Sequence, residues 1–266
     1  MFRMSIAWSR IYPTGMEETP NEEGLRFYDK VFDECKKYQI EPLVTISHYE
    51  IAINALVEKY NGWESRECIG HYVRYCKTIF DRYQDKVKYW LTFNEINSVL
   101  HQPLISGGIL TPKEQLTKQD LYQAIHHELV ASAKAVKLAH EIMPDSQVGC
   151  MILAMPTYPL TPKPEDVLAA MQAEQKNYFF ADVQARGAYP KYLDSYLKEQ
   201  NVRIKTKILT GTIAVYIGIV CYLSTKFAQG STTVGMIVSI KFMNYSRFHT
   251  HLYCFHTAFM INCLYK

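Results

Sequence analysis

Apolar residues in the first 200 positions follow two alternating spacings. Short continuous apolar runs predict buried strands at residues 2–8, 43–49, 87–93 and 148–153. Between these runs, apolar residues recur every three or four positions, which is the spacing of one helix face. Four strand–helix units in series require a parallel sheet, because parallel neighbours need crossover connections.

The predicted helices begin after residues that suit a first helical turn. Pro20 and Asn21 precede two glutamates at the start of the first helix, and Ser65 is the predicted N-cap of the second. Further helices are predicted from about residue 120 to 142, from 165 to about 186 and at 189–200.

Polar residues follow two of the strands at their carboxyl ends. Ser-His-Tyr-Glu at residues 47–50 closes one strand, and Asn94 with Glu95 closes the next. Barrel enzymes place their sites at this end of the strands. A doubly wound sheet fits the same alternation, but the chain has no GxGxxG or GxxxxGK[ST] loop to cradle a nucleotide. We therefore expect an α/β chain with the (β/α)8 TIM barrel fold.

Charge is distributed unevenly along the 266 residues. The net charge of +3 comes from 29 basic and 26 acidic residues, and no Asp or Glu follows Glu199. The basic residues are scattered and no nucleic-acid-binding motif occurs, so we expect no nucleic-acid partner. With 48% hydrophobic residues the chain can bury a sizeable core.

Cysteine spacing and the amino terminus bear on the compartment. The seven cysteines are widely spaced, without a CxxC pair or a histidine at zinc-finger spacing. The first residues lack the features of a secretory signal. We expect a reduced, cytoplasmic protein that needs no metal or other cofactor.

Five segments resemble glycoside hydrolase family 1. They are FRMSIAWSRIYP at residues 2–13, LVTISHYE at 43–50, WLTFNEINSVLHQPLISGGI at 90–109, HHELVASAKAVKLAHE at 126–141 and ADVQARGAYPKYL at 181–193. Their order and spacing are those of the family, and SHYE instead of HWD is similar to the bacterial 6-phospho-β-glucosidase branch. The resemblance implies an incomplete (β/α)8 barrel that begins at the second strand of the family.

The resemblance also implies roles for individual residues. A retaining glycosidase uses two carboxyl groups about 5–5.5 Å apart. Glu95 matches the general acid/base, Asn94 the residue that binds the sugar 2-hydroxyl, and His48 a second sugar-binding residue. Arg3 resembles the arginine beneath the nucleophile, and Tyr222 a tyrosine that contacts it.

Structural roles compete with these assignments. Without the family motifs, the favoured interpretation of a buried Asn-Glu pair is a structural hydrogen-bonding cluster, and that of a histidine with apolar neighbours is a core or rim position. Trp8 is expected to pack. Structural or solvent-facing roles are expected for five histidines that belong to no matched ligand motif, namely His126, His127, His249, His251 and His256.

Three departures from the family bear on activity. The opening strand with its Gln-x-Glu-Gly segment does not precede Phe2, and residues 51–54 replace the usual Met-Pro, which predicts a reshaped loop. The nucleophile belongs to an Ile/Val-x-Glu-Asn-Gly segment, yet residues 200–266 contain no acid. The family residues that bind the 6-phosphate are missing there as well. We therefore expect the activity to be lost or impaired.

The sequence predicts three regions. Residues 1–200 form the partial barrel, 201–225 a degenerate sixth-strand segment, and 226–266 an acid-free tail with no family resemblance past Ser231. An out-of-frame or unrelated translation is the favoured interpretation of the tail. A membrane anchor at residues 208–224 and a packed strand are the alternatives.

Two functional hypotheses follow. The chain is either a β-glycosidase that acts on a small sugar or sugar-phosphate substrate, with Glu95 as acid/base, or a non-catalytic remnant of such an enzyme. Membrane association is the weaker hypothesis for its location.

Overall fold

The computed structural model describes residues 1–51, 56–204, 216–226, 232–237 and 243–244, the last three ranges through their backbone alone. Its first five strands are parallel neighbours in chain order. They are β1 (Phe2–Ser5), β2 (Pro42–Ser47), β3 (Tyr89–Phe93), β4 (Gln147–Ala154) and β5 (Tyr216–Lys226). The predicted parallel α/β sheet is confirmed, and it accounts for part of a barrel.

Two further strands reverse the direction of the sheet. Strands β6 (Thr232–Ile237) and β7 (Met243–Asn244) both pair antiparallel with β5. The predicted sixth-strand segment thus forms β5 from residue 216 onward. Residues 216–224 of the proposed membrane anchor are strand, and residues 208–215 lie outside the described part of the chain. In the part that is described, no helix is both long and apolar enough to cross a bilayer.

Eight α-helices occur in the part of the chain that the structure describes. They are α1 (Trp8–Ile11), α2 (Glu22–Lys37), α3 (Glu58–Tyr60), α4 (Glu67–Tyr83), α5 (Pro103–Gly107), α6 (Lys118–Ile142), α7 (Pro164–Arg186) and α8 (Lys191–Glu199). The strand predicted at residues 2–8 ends early at Ser5. Ile6 N–H still donates to the Thr45 carbonyl (3.3 Å), and the backbone N–H of Ala7 donates to the Tyr28 hydroxyl (2.8 Å). Helix α1 begins at the next residue.

The starts of the helices test the predicted caps. Asn21, within the helix start that the sequence indicated, caps α2 by accepting from the backbone N–H of Glu23 (3.1 Å). The cap position of α4 is Arg66, one residue later than predicted, although the Ser65 hydroxyl accepts from Glu67 N–H at 3.3 Å. Helix α6 opens with a capping box that the sequence pattern missed, formed by Thr117 and Asp120.

The capping box predicts a measurable contribution to stability. Thr117→Ala removes the oxygen that accepts from Asp120 N–H (3.2 Å), so we expect the free energy of unfolding to fall by about 1 kcal/mol in urea titrations. Thr117→Ser keeps the hydroxyl and is expected to stay within a few tenths of wild type. An equal loss in both variants would contradict the capping role.

Aromatic side chains of α4 fasten this helix to the strand ends. Tyr75 stacks on Trp8 (5.3 Å between ring centroids), and its hydroxyl donates to the carbonyls of Ile6 (2.8 Å) and Ile46 (3.0 Å). Tyr72 donates to the carbonyl of Thr92 (2.8 Å). Trp8 therefore packs in the core, as expected, and α4 holds the carboxyl ends of β1, β2 and β3 together.

Candidate active site

The predicted acid/base lies at the carboxyl end of β3. Backbone pairing continues past the strand, where Asn94 N–H donates to the Ser47 carbonyl at 2.8 Å. Asn94 and Glu95 are 7% and 4% exposed. Glu95 adopts a left-handed backbone with φ of 46°, a conformation that non-glycine residues adopt mainly where the surrounding structure enforces it. The chain thus turns sharply at Glu95 and buries its carboxyl group.

Arg3 lies in β1 and its side chain reaches across β2 to Asn94, which follows β3. Its guanidinium donates to Asn94 Oδ1 at 2.6 Å and to the Thr45 hydroxyl through two nitrogens at 3.2 Å. Because a guanidinium only donates hydrogen bonds, this contact fixes Oδ1 of Asn94 as the acceptor. The structure thus brings together three strands at one polar cluster. Thr45, which lies inside the LVTISHYE motif, was missed as a site residue.

Tyr49 contacts the candidate acid/base directly. Its hydroxyl donates to Oε2 of Glu95, and its own backbone is left-handed with φ of 62°. Two neighbouring loops therefore turn in the same unusual way and meet through their side chains. Sequence reasoning gave Tyr49 no role, although its place next to His48 in the SHYE motif was the available signal.

His48 lies beside this pair at the open end of the sheet. The residue is exposed, and its ring centroid is 5.3 Å from that of Tyr49. Removal of water by nearby protein atoms lowers the pKa of the imidazole, and the charge of Arg3 lowers it further. His48 is therefore a neutral hydrogen-bonding group at neutral pH, which suits contact with a sugar hydroxyl.

Asn97 braces the turn that carries Glu95. This fully buried side chain accepts from Leu153 N–H (2.8 Å) and donates to the Leu153 carbonyl (2.8 Å) and to Oδ1 of Asn177 (2.9 Å). The amide thereby joins the end of β3 to the end of β4 and to α7. Sequence reasoning missed this role, since a polar residue after a strand is usually solvated.

The remaining predicted residues fall into two groups. His126 and His127 are buried, with hydrogen bonds to the Tyr189 hydroxyl (3.1 Å) and the Trp63 carbonyl (2.9 Å), so their structural roles are confirmed. Tyr222 lies in β5, where its backbone pairs with Met236, and its side chain lies outside the described part. Residues 52–55 of the predicted reshaped loop lie outside it as well, with His249, His251 and His256.

Comparisons with known proteins place this site in a family. The profile of Glycosyl hydrolase family 1 matches residues 1–246, which includes segment 201–225 and the first part of the tail. A 6-phospho-beta-glucosidase of Clostridium longisporum is 63% identical over 204 residues, 77% of this chain and 43% of that protein. The Bacillus subtilis (strain 168) aryl-phospho-beta-D-glucosidase BglH is 56% identical over 228 residues, 84% of this chain and 48% of its own.

A solved structure agrees with the sequence matches. The rice Os3BGlu6 beta-glucosidase superposes with a TM-score of 0.72 at 28% identity, covering 83% of this chain and 49% of that one. The chain spans about half the length of the curated relatives it matches. The parallel strands and the profile match agree: the chain belongs to glycosyl hydrolase family 1.

Proposed function

We propose that this chain carries the acid/base part of a retaining β-glycosidase site, directed at 6-phospho-β-glucosides. The observation that carries the proposal is the buried Asn94–Glu95 pair at the end of β3, held by Arg3 and Tyr49. The phosphorylated substrate class is supported by similarity to two proteins whose names include it. Unphosphorylated β-glucosides are the alternative substrate class.

In this proposal Glu95 protonates the glycosidic oxygen and later removes a proton from the attacking water. Tyr49 holds Oε2 of Glu95, which directs Oε1 to the substrate. Arg3 occupies Oδ1 of Asn94, so the Nδ2 hydrogens of Asn94 are the groups that bind the sugar 2-hydroxyl. His48, neutral near pH 7, binds another hydroxyl of the same ring.

The covalent step is where the chain departs from its family. A second carboxylate must attack the anomeric carbon, and no Asp or Glu occurs at residues 200–266. We propose that the chain alone lacks this nucleophile and that Arg3 and Tyr222 are the residues that would face it. The second candidate function, a non-catalytic remnant, is favoured by the same acid-free region.

We also propose a cytoplasmic location without nucleic-acid or membrane partners. Cys35, Cys68, Cys76 and Cys150 are buried and free, which is the state expected in a reducing compartment. Burial raises the pKa of the Cys68 thiol to about 12, so this thiol stays protonated and unreactive at neutral pH.

Release of nitrophenol from 4-nitrophenyl 6-phospho-β-glucoside, with and without azide, tests the proposal. Azide that replaces the missing nucleophile attacks from the opposite face and gives the α-glycosyl azide, so we expect release that depends on azide. Release without azide would show that another carboxylate serves as nucleophile. If a folded sample releases nothing in either condition, the remnant hypothesis holds. The unphosphorylated glucoside, assayed in parallel, tests the substrate class.

A further inference from the structure

Helix α6 buries a carboxyl group that the proposed chemistry does not use. Glu128 lies in the middle of the helix and is 1% exposed. Its Oε2 atom is buried and has no hydrogen-bond partner, and no ion pair reaches it from the described residues. An ionised carboxylate is strongly disfavoured in such a place, because neither water nor a counter-charge stabilises it.

The titratable side chains near Glu128 come from α4 and from α6 itself. From α4, Tyr72 interacts electrostatically with Glu128, and burial raises the pKa of Tyr72 well above its usual range. Burial lowers the pKa values of His126 and His127, and the charge of Arg66, at the cap position of α4, lowers them further. On α6 itself, His126 and His127 direct their Nδ1 atoms to the Tyr189 hydroxyl and the Trp63 carbonyl.

Strand β3 and helix α7 contribute uncharged groups to the same region. The Ser132 hydroxyl, one helical turn beyond Glu128, contacts Thr92 Oγ1 (2.8 Å) and accepts from Gln184 Nε2 (3.0 Å). Gln184 Oε1 is a second buried oxygen that no described residue contacts by a hydrogen bond. Burial alone raises the pKa of Glu128 well above its usual range.

We propose that Glu128 is a buried neutral acid that takes up a proton when the chain folds, and that it makes the stability of this partial barrel depend on pH. The region around it supports the strand that ends in Glu95. Tyr72 donates to the Thr92 carbonyl, and Ser132 contacts the Thr92 side chain. Ionisation of Glu128 would therefore loosen β3 three residues before the candidate acid/base. The proposal stands apart from glycosidase activity.

The sign of the pH dependence follows from proton linkage. Below pH 4.5, the ordinary pKa of a glutamate, the Glu128 carboxyl group is protonated in both the folded and the unfolded chain, so the full stability is present. Above that pH the unfolded chain releases its proton while folded Glu128 retains it. The unfolding constant then rises tenfold per pH unit, until the folded pKa is reached. Stability is lost as the pH rises.

Urea unfolding at pH 5 to 8 tests the proposal on the whole chain. We expect the ratio of the wild-type unfolding constant to that of Glu128→Gln to rise about tenfold per pH unit over the lower part of this range. The buried His126, with its pKa lowered to about 4, and His127 act in the opposite direction below pH 6.5. Their effect cancels in this ratio because both proteins contain them.

Glu141→Gln is the matched control, since Glu141 lies on the same helix with its side chain 58% exposed. This variant is expected to follow the wild-type pH profile. Parallel profiles for wild type and Glu128→Gln would overturn the proposal.

Infrared spectroscopy of the Glu95→Gln variant keeps the test valid if Glu128→Gln does not fold, because this variant lacks the carboxyl group of the proposed acid/base. With glutamate labelled by ¹³C at the carboxyl carbon, we expect the stretching band of one protonated carboxylic acid at pH 7. Absence of that band from the folded protein would overturn the proposal. Neither measurement needs a substrate, so a failed glycosidase assay leaves the result intact.

Discussion

Glu95→Gln is expected to reduce azide-dependent cleavage of phenyl 6-phospho-β-glucoside by about 10²- to 10⁴-fold, the usual range for loss of a positioned proton donor. Phenoxide is a poor leaving group, so its departure needs the proton that Glu95 supplies. Glutamine has the same shape and can still accept from the Tyr49 hydroxyl. The fold should therefore persist, and the loss should lie in the chemical step.

The leaving group separates proton donation from a general loss of structure. In a 2,4-dinitrophenyl substrate the leaving group, 2,4-dinitrophenolate, departs without protonation. Glu95→Gln should therefore cleave this substrate at nearly the wild-type rate with azide. Glu141→Gln, on the exposed face of α6, should leave both rates unchanged. Equal losses on the two substrates would mean that Glu95 supports the architecture of the site and does not donate the proton.

The part of the site that the sequence predicted depends on strand ends. Continuous apolar runs locate β2 and β3, and the polar residues directly after them, among them His48 and Glu95, must meet at one edge of a parallel sheet. The family motifs then assign chemistry to those positions. Arg3 lies near the start of β1 and was assigned through the family resemblance alone. The pairing of β1 with β2 places Arg3 opposite Leu43.

Contacts made by side chains across the sheet escaped prediction. Tyr49 and Glu95 meet where both backbones turn left-handed, and sequence patterns do not encode that conformation outside glycine. Helix α6 is buried on most of its faces, so its apolar pattern does not distinguish buried Glu128 from exposed Glu141.

Asn97→Ala is expected to lower the free energy of unfolding by roughly 2–4 kcal/mol, which makes it the largest effect on stability that we predict. The side-chain amide of Asn97 acts like a backbone peptide group, since it both donates to and accepts from Leu153. Alanine removes both contacts and leaves the Leu153 N–H buried without its acceptor. Urea unfolding followed by circular dichroism measures the loss.

A double-mutant cycle with Asn177 separates this network from simple loss of packing. Asn97 donates to Asn177 Oδ1 at 2.9 Å, and Asn177 also donates to the Leu153 carbonyl at 3.3 Å. Three groups that share partners should be coupled, so the effects of Asn97→Ala and Asn177→Ala should depart from additivity by about 0.5–3 kcal/mol. If the two substitutions had additive effects on the free energy of unfolding, the side-chain amides of Asn97 and Asn177 would not act as one network, and water would replace the amide that each variant lacks. Because Asn97 lies two residues after Glu95, coupling would also show that the turn bearing the acid/base is held from β4 and α7.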